Sequence, residues 1–212
     1  MCTTYGSQII LEACYMNTPC EAECYNVNNP NYYIKSRFPT LQSSVSGGTK
    51  MIRVHTGMHF CIRNCEFDIL YTEEDIYPDR NNYFNETSVI YRMQAAGQII
   101  MWLGDNKNWG SNTCVKRYSS LLKSDIVQVS HHGWDGSTLA LYSVLDAKTL
   151  LWPAAKSVVE KFASSSSSAS YYAVDKYLIK KYGYDNIIIA EPTQTITLPY
   201  SNGDTIVTEN CG

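Results

Sequence analysis

Two apolar runs in this chain end on residue types that bind metals or move protons. Gly97-Gln98-Ile99-Ile100-Met101-Trp102-Leu103 stops at Gly104-Asp105, and Asp125-Ile126-Val127-Gln128-Val129 stops at Ser130-His131-His132-Gly133. A carboxylate and two imidazoles at the mouths of two buried strands are materials for a hydrolytic metal centre, because each offers a lone pair at a fixed place. Gly104 lets the chain turn tightly. Asp105 is then expected at the sheet edge beside apolar walls, where an anion is costly without a compensating cation or donors. The competing reading of Asp105 is a turn residue in a Gly-Asp-Asn loop. Successive residues of an extended chain point to opposite sides. One imidazole is therefore expected to ligate, and the other to stand behind it, face substrate or carry a proton. The spacing does not say which of His131 and His132 does so. Of only four histidines in the chain, these two are adjacent at a strand terminus, which favours a functional role over two polar residues opening a loop.

Asn85-Glu86-Thr87-Ser88 precedes the hairpin that ends in Asp105. Asn85 and Ser88 either satisfy backbone groups at the hairpin mouth or frame the site wall and hold the strand register beside it. His55 and His59 are four apart, but Thr56-Gly57-Met58 between them reads as a turn between strands, so solvated side chains are expected rather than ligands. Ser130 and Cys114 are weaker candidates for a nucleophile paired with His131, since no Gly-x-Ser-x-Gly elbow and no orienting third residue is present. No phosphate-binding glycine loop is present either.

The elements that must position these residues are read from periodicity. Ser7 to Tyr15 is a strand or short helix. Tyr32, Tyr33, Leu41 and Val45 suggest a helix interrupted at Pro39 and ended by Gly47-Gly48. Strands are expected over 51–55, from about 58, and over 66–71, followed by a polar loop to Asn85. A hairpin pairs 88–93 with 98–103 through Ala95-Ala96-Gly97. Ser111 is expected to cap a helix to about Leu122. A strand over 126–129, a helix over 137–145 and a strand over 149–152 follow. A serine run, 164–168, reads as a surface loop. A helix over 171–182 is ended by Gly183, and strands over 186–190, 193–198 and 205–208 close the chain. Antiparallel strands followed by alternating helix and strand predict an α/β fold with helices covering a sheet.

Composition sets limits. The 212 residues, 44% hydrophobic and 17% charged, suit one substantial domain, and a net charge of −3 gives no global attraction to nucleic acid or anionic membrane. No apolar run reaches the ~18–20 residues that cross a bilayer, and the N-terminus does not read as a signal peptide, so a cytoplasmic location is the expectation. The eight cysteines (Cys2, Cys14, Cys20, Cys24, Cys61, Cys65, Cys114, Cys211) are expected as free thiols. Cys20-x3-Cys24 and Cys61-x3-Cys65 lack the tight spacing of a zinc knuckle.

The ordered set Asn85-x-x-Ser88, Gly104-Asp105 and His131-His132-Gly133 resembles the C-terminal half of metallo-β-lactamase-fold hydrolases. The branch it looks most similar to holds the hydrolase domain of bacterial competence (DNA-uptake) proteins. The resemblance runs over roughly residues 50–200. It implies an αββα sandwich of which residues 49–212 are the C-terminal portion, with 1–48 a helix-bearing segment of, or insertion in, the N-terminal half. It further implies a two-metal site, zinc or manganese, with Asp105 bridging the metals and His131 or His132 binding one of them. Substrates would be phosphodiesters, nucleic acids or other small hydrolysable esters and amides. The family's His-x-His-x-Asp-His motif is missing, and no histidine precedes Met51. Three accounts follow: a piece of a longer enzyme, a half-fold completed by pairing with another chain, or a degenerate domain kept for binding. Two functions follow with them, a metal-dependent hydrolase or a non-catalytic binding or structural module.

Overall fold

The computed structural model describes residues 12–17, 49–76, 84–191 and 193–209. The helix expected around Tyr32 to Val45 and the Cys20–Cys24 pair lie outside these residues, as do Cys2 and Cys211. In chain order the elements are β1 (Ala13–Met16), β2 (Lys50–Arg53), β3 (His59–Ile62), β4 (Cys65–Tyr71), β5 (Ile90–Ala95), β6 (Gln98–Trp102), α1 (Asn108–Tyr118), β7 (Ile126–Gln128), α2 (Leu139–Leu145), β8 (Thr149–Trp152), α3 (Lys156–Ser164), α4 (Ser170–Tyr182), β9 (Ile187–Ile189), β10 (Thr193–Thr195) and β11 (Val207–Glu209).

A seven-stranded sheet carries the strands in sequence order from β3 to β9. Its first half is antiparallel and its second half, from β6 onward, is parallel. The change follows from the connections. The β5–β6 link is a tight turn at Ala96-Gly97, both at positive φ (49° and 78°), which suits a two-residue hairpin. After β6 each return passes through helix, which is what parallel pairing requires. The strands β7, β8 and β9 are apolar on both faces, as expected of a covered parallel sheet.

Both faces are covered, but differently. Cys114 of α1, Leu141 and Leu145 of α2, Phe162 of α3 and Leu178 of α4 join Met101, Val127, Leu150 and Trp152 in one large core. The opposite face carries Ile100, Ile126 and Ile188, packed under Ile196, Leu198, Tyr200 and Ile206 of the C-terminal segment. Toward β3 that face becomes a row of rings: Tyr15, Phe60, Phe67, Tyr91 and Trp102 follow one another at centroid spacings of 4.6, 5.3, 6.1 and 6.0 Å. The fold is mixed α/β, a large central sheet with flanking helices, as the strand and helix order implied. Besides it, the described residues form a parallel β1–β2 pair and an antiparallel β10–β11 pair.

Two local expectations are corrected. Ser111 does not cap α1. The helix begins at Asn108, and Ser111 lies fully buried inside it, its hydroxyl donating to Lys107 O at 2.5 Å. Helix α3 was not anticipated. Its Val159 and Phe162 are fully buried, but with only two core positions in nine residues its pattern merges into the serine run.

Candidate functional site

The chemistry-bearing residues gather at the C-terminal ends of β6, β7 and β8, the usual place for a site in an open parallel sheet. Gln128 is the one polar residue in an apolar strand, and it holds these ends together. Its Oε1 accepts from Leu103 N (2.9 Å) and Gly104 N (2.8 Å), while Nε2 donates to Gly104 O at 3.2 Å. The side chain thus continues the β6–β7 ladder one step beyond its last backbone pair and fixes where Asp105 emerges. His131 N donates to Gly104 O at 2.9 Å from the other strand.

The His131-His132 turn is not extended. His131 (φ 49°, ψ 37°) and His132 (φ 56°, ψ 14°) are left-handed, and Gly133 follows at φ 90°. Left-handed backbone is unfavourable for residues bearing a Cβ and persists where surrounding structure holds it. Here the holding contacts are Trp134 N to His131 O (2.7 Å), Trp152 Nε1 to His132 O (3.0 Å) and Ser130 N to the Tyr142 hydroxyl (2.9 Å). A Cβ at Gly133 would stand 2.6 Å from Phe162 Cε2, so the turn lies directly on the helical layer.

This geometry separates the two imidazoles. His132 Nδ1 stands 2.6 Å from Pro153 O. A carbonyl only accepts, so Nδ1 carries a proton, and Nε2 faces Asp105 Oδ1 at 3.6 Å. His131 turns away. Its Nε2 pairs with Asn85 Nδ2 at 3.2 Å, and its Nδ1 is buried with no hydrogen-bond partner among the described residues. The two rings diverge, with centroids 6.4 Å apart, because of the left-handed turn and not the strand alternation assumed from sequence. The site is also wetter than expected: 44% of the Asp105 side chain and 52% of the His132 side chain are exposed. Apolar walls therefore do not bury the carboxylate.

The segment from Asn85 to Ser88 does more than line a wall. Ser88 Oγ accepts from Asp105 N at 3.2 Å. Glu86, only 3% exposed, accepts from three backbone amides that precede or open α1: Lys107 N (3.2 Å), Trp109 N (3.0 Å) and Gly110 N (3.3 Å). A carboxylate there meets both the unpaired N–H groups and the positive end of the helix dipole. It replaces the side-chain cap that Lys107 does not supply. Asn106, fully buried, donates to Glu86 O and Ser88 O, and its own carbonyl accepts from Ser130 and Ser137 hydroxyls. Glu86, Asn106 and Gln128 were not recognised as positioning residues. The signal for Gln128 was a polar residue inside an apolar run; for the other two no local pattern existed, since their side-chain partners lie 18 or more residues away.

The remaining candidates separate from this cluster. His55 pairs with Glu74 at 2.8 Å and His59 with Asp68 at 2.8 Å, both exposed. Cys114 is fully buried and its thiol is pushed up to about 12 by desolvation, the opposite of an activated nucleophile. The Ser130 hydroxyl donates to Asn106 O. Cys14, Cys61 and Cys65 are free thiols. No group of three or more His, Cys, Asp or Glu side chains that could hold a metal occurs among the described residues. Asp105 Oδ1 and His132 Nε2 face each other, and the Pro153 carbonyl lies behind His132 at Nδ1. Two ligands fall short of the three or four protein side chains a zinc centre uses. No reaction step through a metal follows from this pair alone. No helix among the described residues is long and apolar enough to cross a membrane.

No protein-family model matches the chain, and no curated protein matches it. Among solved structures the chain is similar to a diphosphatase of the PhnP family, at 12% identity and a TM-score of 0.36, over 84% of this chain and 55% of that one. The chain thus spans about half the length of that neighbour. At this level the likeness assigns neither family nor activity.

Proposed function

We propose that Asp105 and His132 are part of a metal-dependent hydrolytic centre of the metallo-β-lactamase type, acting on phosphodiester-like substrates, nucleic acid included. The observation that carries this reading is an imidazole nitrogen and a carboxylate facing each other. With Nδ1 committed to Pro153 O, His132 turns Nε2 toward Asp105 Oδ1 across 3.6 Å. A ring nitrogen and a carboxylate at that spacing can share a cation, a proton or a metal ion. The ordered motifs Asn85-x-x-Ser88, Gly104-Asp105 and His131-His132-Gly133 support the same class. Zinc or manganese is the cation of choice, and it would supply an activated water near neutral pH. Asp105 and His132 would hold it, Ser88 would orient Asp105 through its amide, and His131, tied to Asn85, would stand aside. The missing ligands are assigned to polypeptide that pairs with this face.

A second reading, a binding module without catalysis, is favoured by the absence of a third ligating side chain among the described residues. Titration calorimetry with Zn2+ and Mn2+ separates the two, followed by hydrolysis of bis-(4-nitrophenyl) phosphate. Metal binding lost in Asp105→Asn and in His132→Ala, but kept in His131→Ala, is the expected result. Equal metal uptake by the wild type and Asp105→Asn would leave the binding module standing.

A further inference from the structure

Asp175 sits where α4 should be apolar. Tyr172, Leu178 and Tyr182 share its buried stripe. Its side chain is 3% exposed, and Oδ2 has no hydrogen-bond partner among the described residues. The residue does not face solid core. It lines a cavity of about 200 Å³ between α4, the start of α2 and the loop after β7, together with Asn108, Asp135, Tyr142, Ser170 and Tyr171. No Lys, Arg or His among the described residues lines this space. Asp135 is paired with Lys107 Nζ at 2.7 Å, and Tyr142, which accepts from Ser130 N, makes no hydrogen bond to Asp175 Oδ2. The unanswered group is therefore a buried carboxyl on a cavity lined by hydroxyls and two tyrosines.

We propose that this cavity is a binding site for a small organic cation, a primary ammonium or guanidinium on a short alkyl chain, with the Asp175 carboxylate as its counter-ion. A buried carboxylate without a partner is costly, and a charged donor answers it better than a neutral one. The Tyr171 face gives a cation a second attraction. The volume is far more than one water needs but below the ~300–1,000 Å³ of drug-sized sites, which excludes nucleotides. A bare metal ion is disfavoured by a cavity with two carboxylates, one of them already paired. Burial lifts the Asp175 carboxyl to about 8, so in the empty cavity it holds a proton near neutral pH, and a bound cation stabilises the ionised form and releases that proton. This site does not depend on the reading of Asp105 and His132.

The test titrates n-butylammonium and methylguanidinium into the full chain, with n-butanol as the neutral probe of matching shape, followed by amide NMR. Saturable cation binding is expected, with shifts at Ser130, Gly136 and Ser170. Asp175→Asn should weaken the cations at least tenfold and leave butanol unchanged. Tyr171→Leu, which leaves Asp175 in place, should weaken the cations several-fold and guards against a folding defect in the first variant. Butanol binding as tightly as the cations, or cation affinity untouched in Asp175→Asn, overturns the proposal. So does the absence of shifts at the cavity.

Discussion

Replacing Glu86 by Gln should destabilise the protein more than any exposed charge could. The wild-type carboxylate, 3% exposed, accepts three backbone amides, two of them on Oε2 (Lys107 N, Gly110 N) and one on Oε1 (Trp109 N). The amide of Gln is isosteric but has one oxygen. Whichever way it turns, its NH2 group meets at least one N–H head-on. An orphaned buried donor costs roughly 1–3 kcal/mol, and the lost charge at the start of α1 adds roughly 0.3–1 kcal/mol. The sum is about 1.3–4 kcal/mol. Glu86→Ala frees all three donors, and with water entering the vacated space the loss comes to about 4 kcal/mol. The assay is urea unfolding followed by tryptophan fluorescence and far-UV circular dichroism together, which also checks that one transition is being read. With a slope of ~2 kcal/mol/M, Glu86→Gln lowers the midpoint by roughly 0.7–2 M. A midpoint within about 0.3 M of wild type would refute the claim that this carboxylate organises the start of α1.

Gly133→Ala forces a Cβ to 2.6 Å from Phe162 and 2.9 Å from Trp152 at φ +90°; a loss of roughly 2–4 kcal/mol in thermal unfolding is expected. For Asp175, burial raises the folded pKa to about 8 from 3.8. The folded state therefore keeps a proton that the unfolded state has released. Stability falls as pH rises from about 4 to about 8, by up to ~1.4 kcal/mol per pH unit, and levels off above. Asp175→Asn should flatten that slope and be the more stable form at pH 8; unchanged slopes in pH-dependent melting would contradict the burial argument. Ser88→Ala removes the acceptor of Asp105 N. It should cost ~1 kcal/mol and weaken Mn2+ binding several-fold in calorimetry, whereas equal affinity would show that Asp105 needs no such support.

How much of this was legible beforehand differs by residue. Strand β8 over Thr149–Trp152 and helix α4 closed at Gly183 were readable because their signals are local: an apolar run stopped by Pro153, and a helical stripe followed by a glycine. Asp105 and His132 were readable as candidates because an apolar run that stops on a ligand residue is itself a local pattern. The start of α1 was misplaced because its stabilising carboxylate, Glu86, lies 21 to 24 residues upstream, and no window along the chain contains both. Helix α3 went unseen because its buried positions are too few to set a period.

The amino-acid sequence by itself determined most element types between β4 and β9, α3 excepted, the hairpin that carries β6 and the placing of acid and imidazole at strand ends, since these follow from periodicity and turn chemistry within short windows. Tertiary structure alone decided which imidazole faces Asp105. That choice rests on a left-handed turn held by Trp152, Pro153, Tyr142 and Trp134. It also decided that the site is half-exposed and that Asp175 opens onto a cavity. Each of these depends on groups that meet only once the sheet is formed and the helices are laid across it.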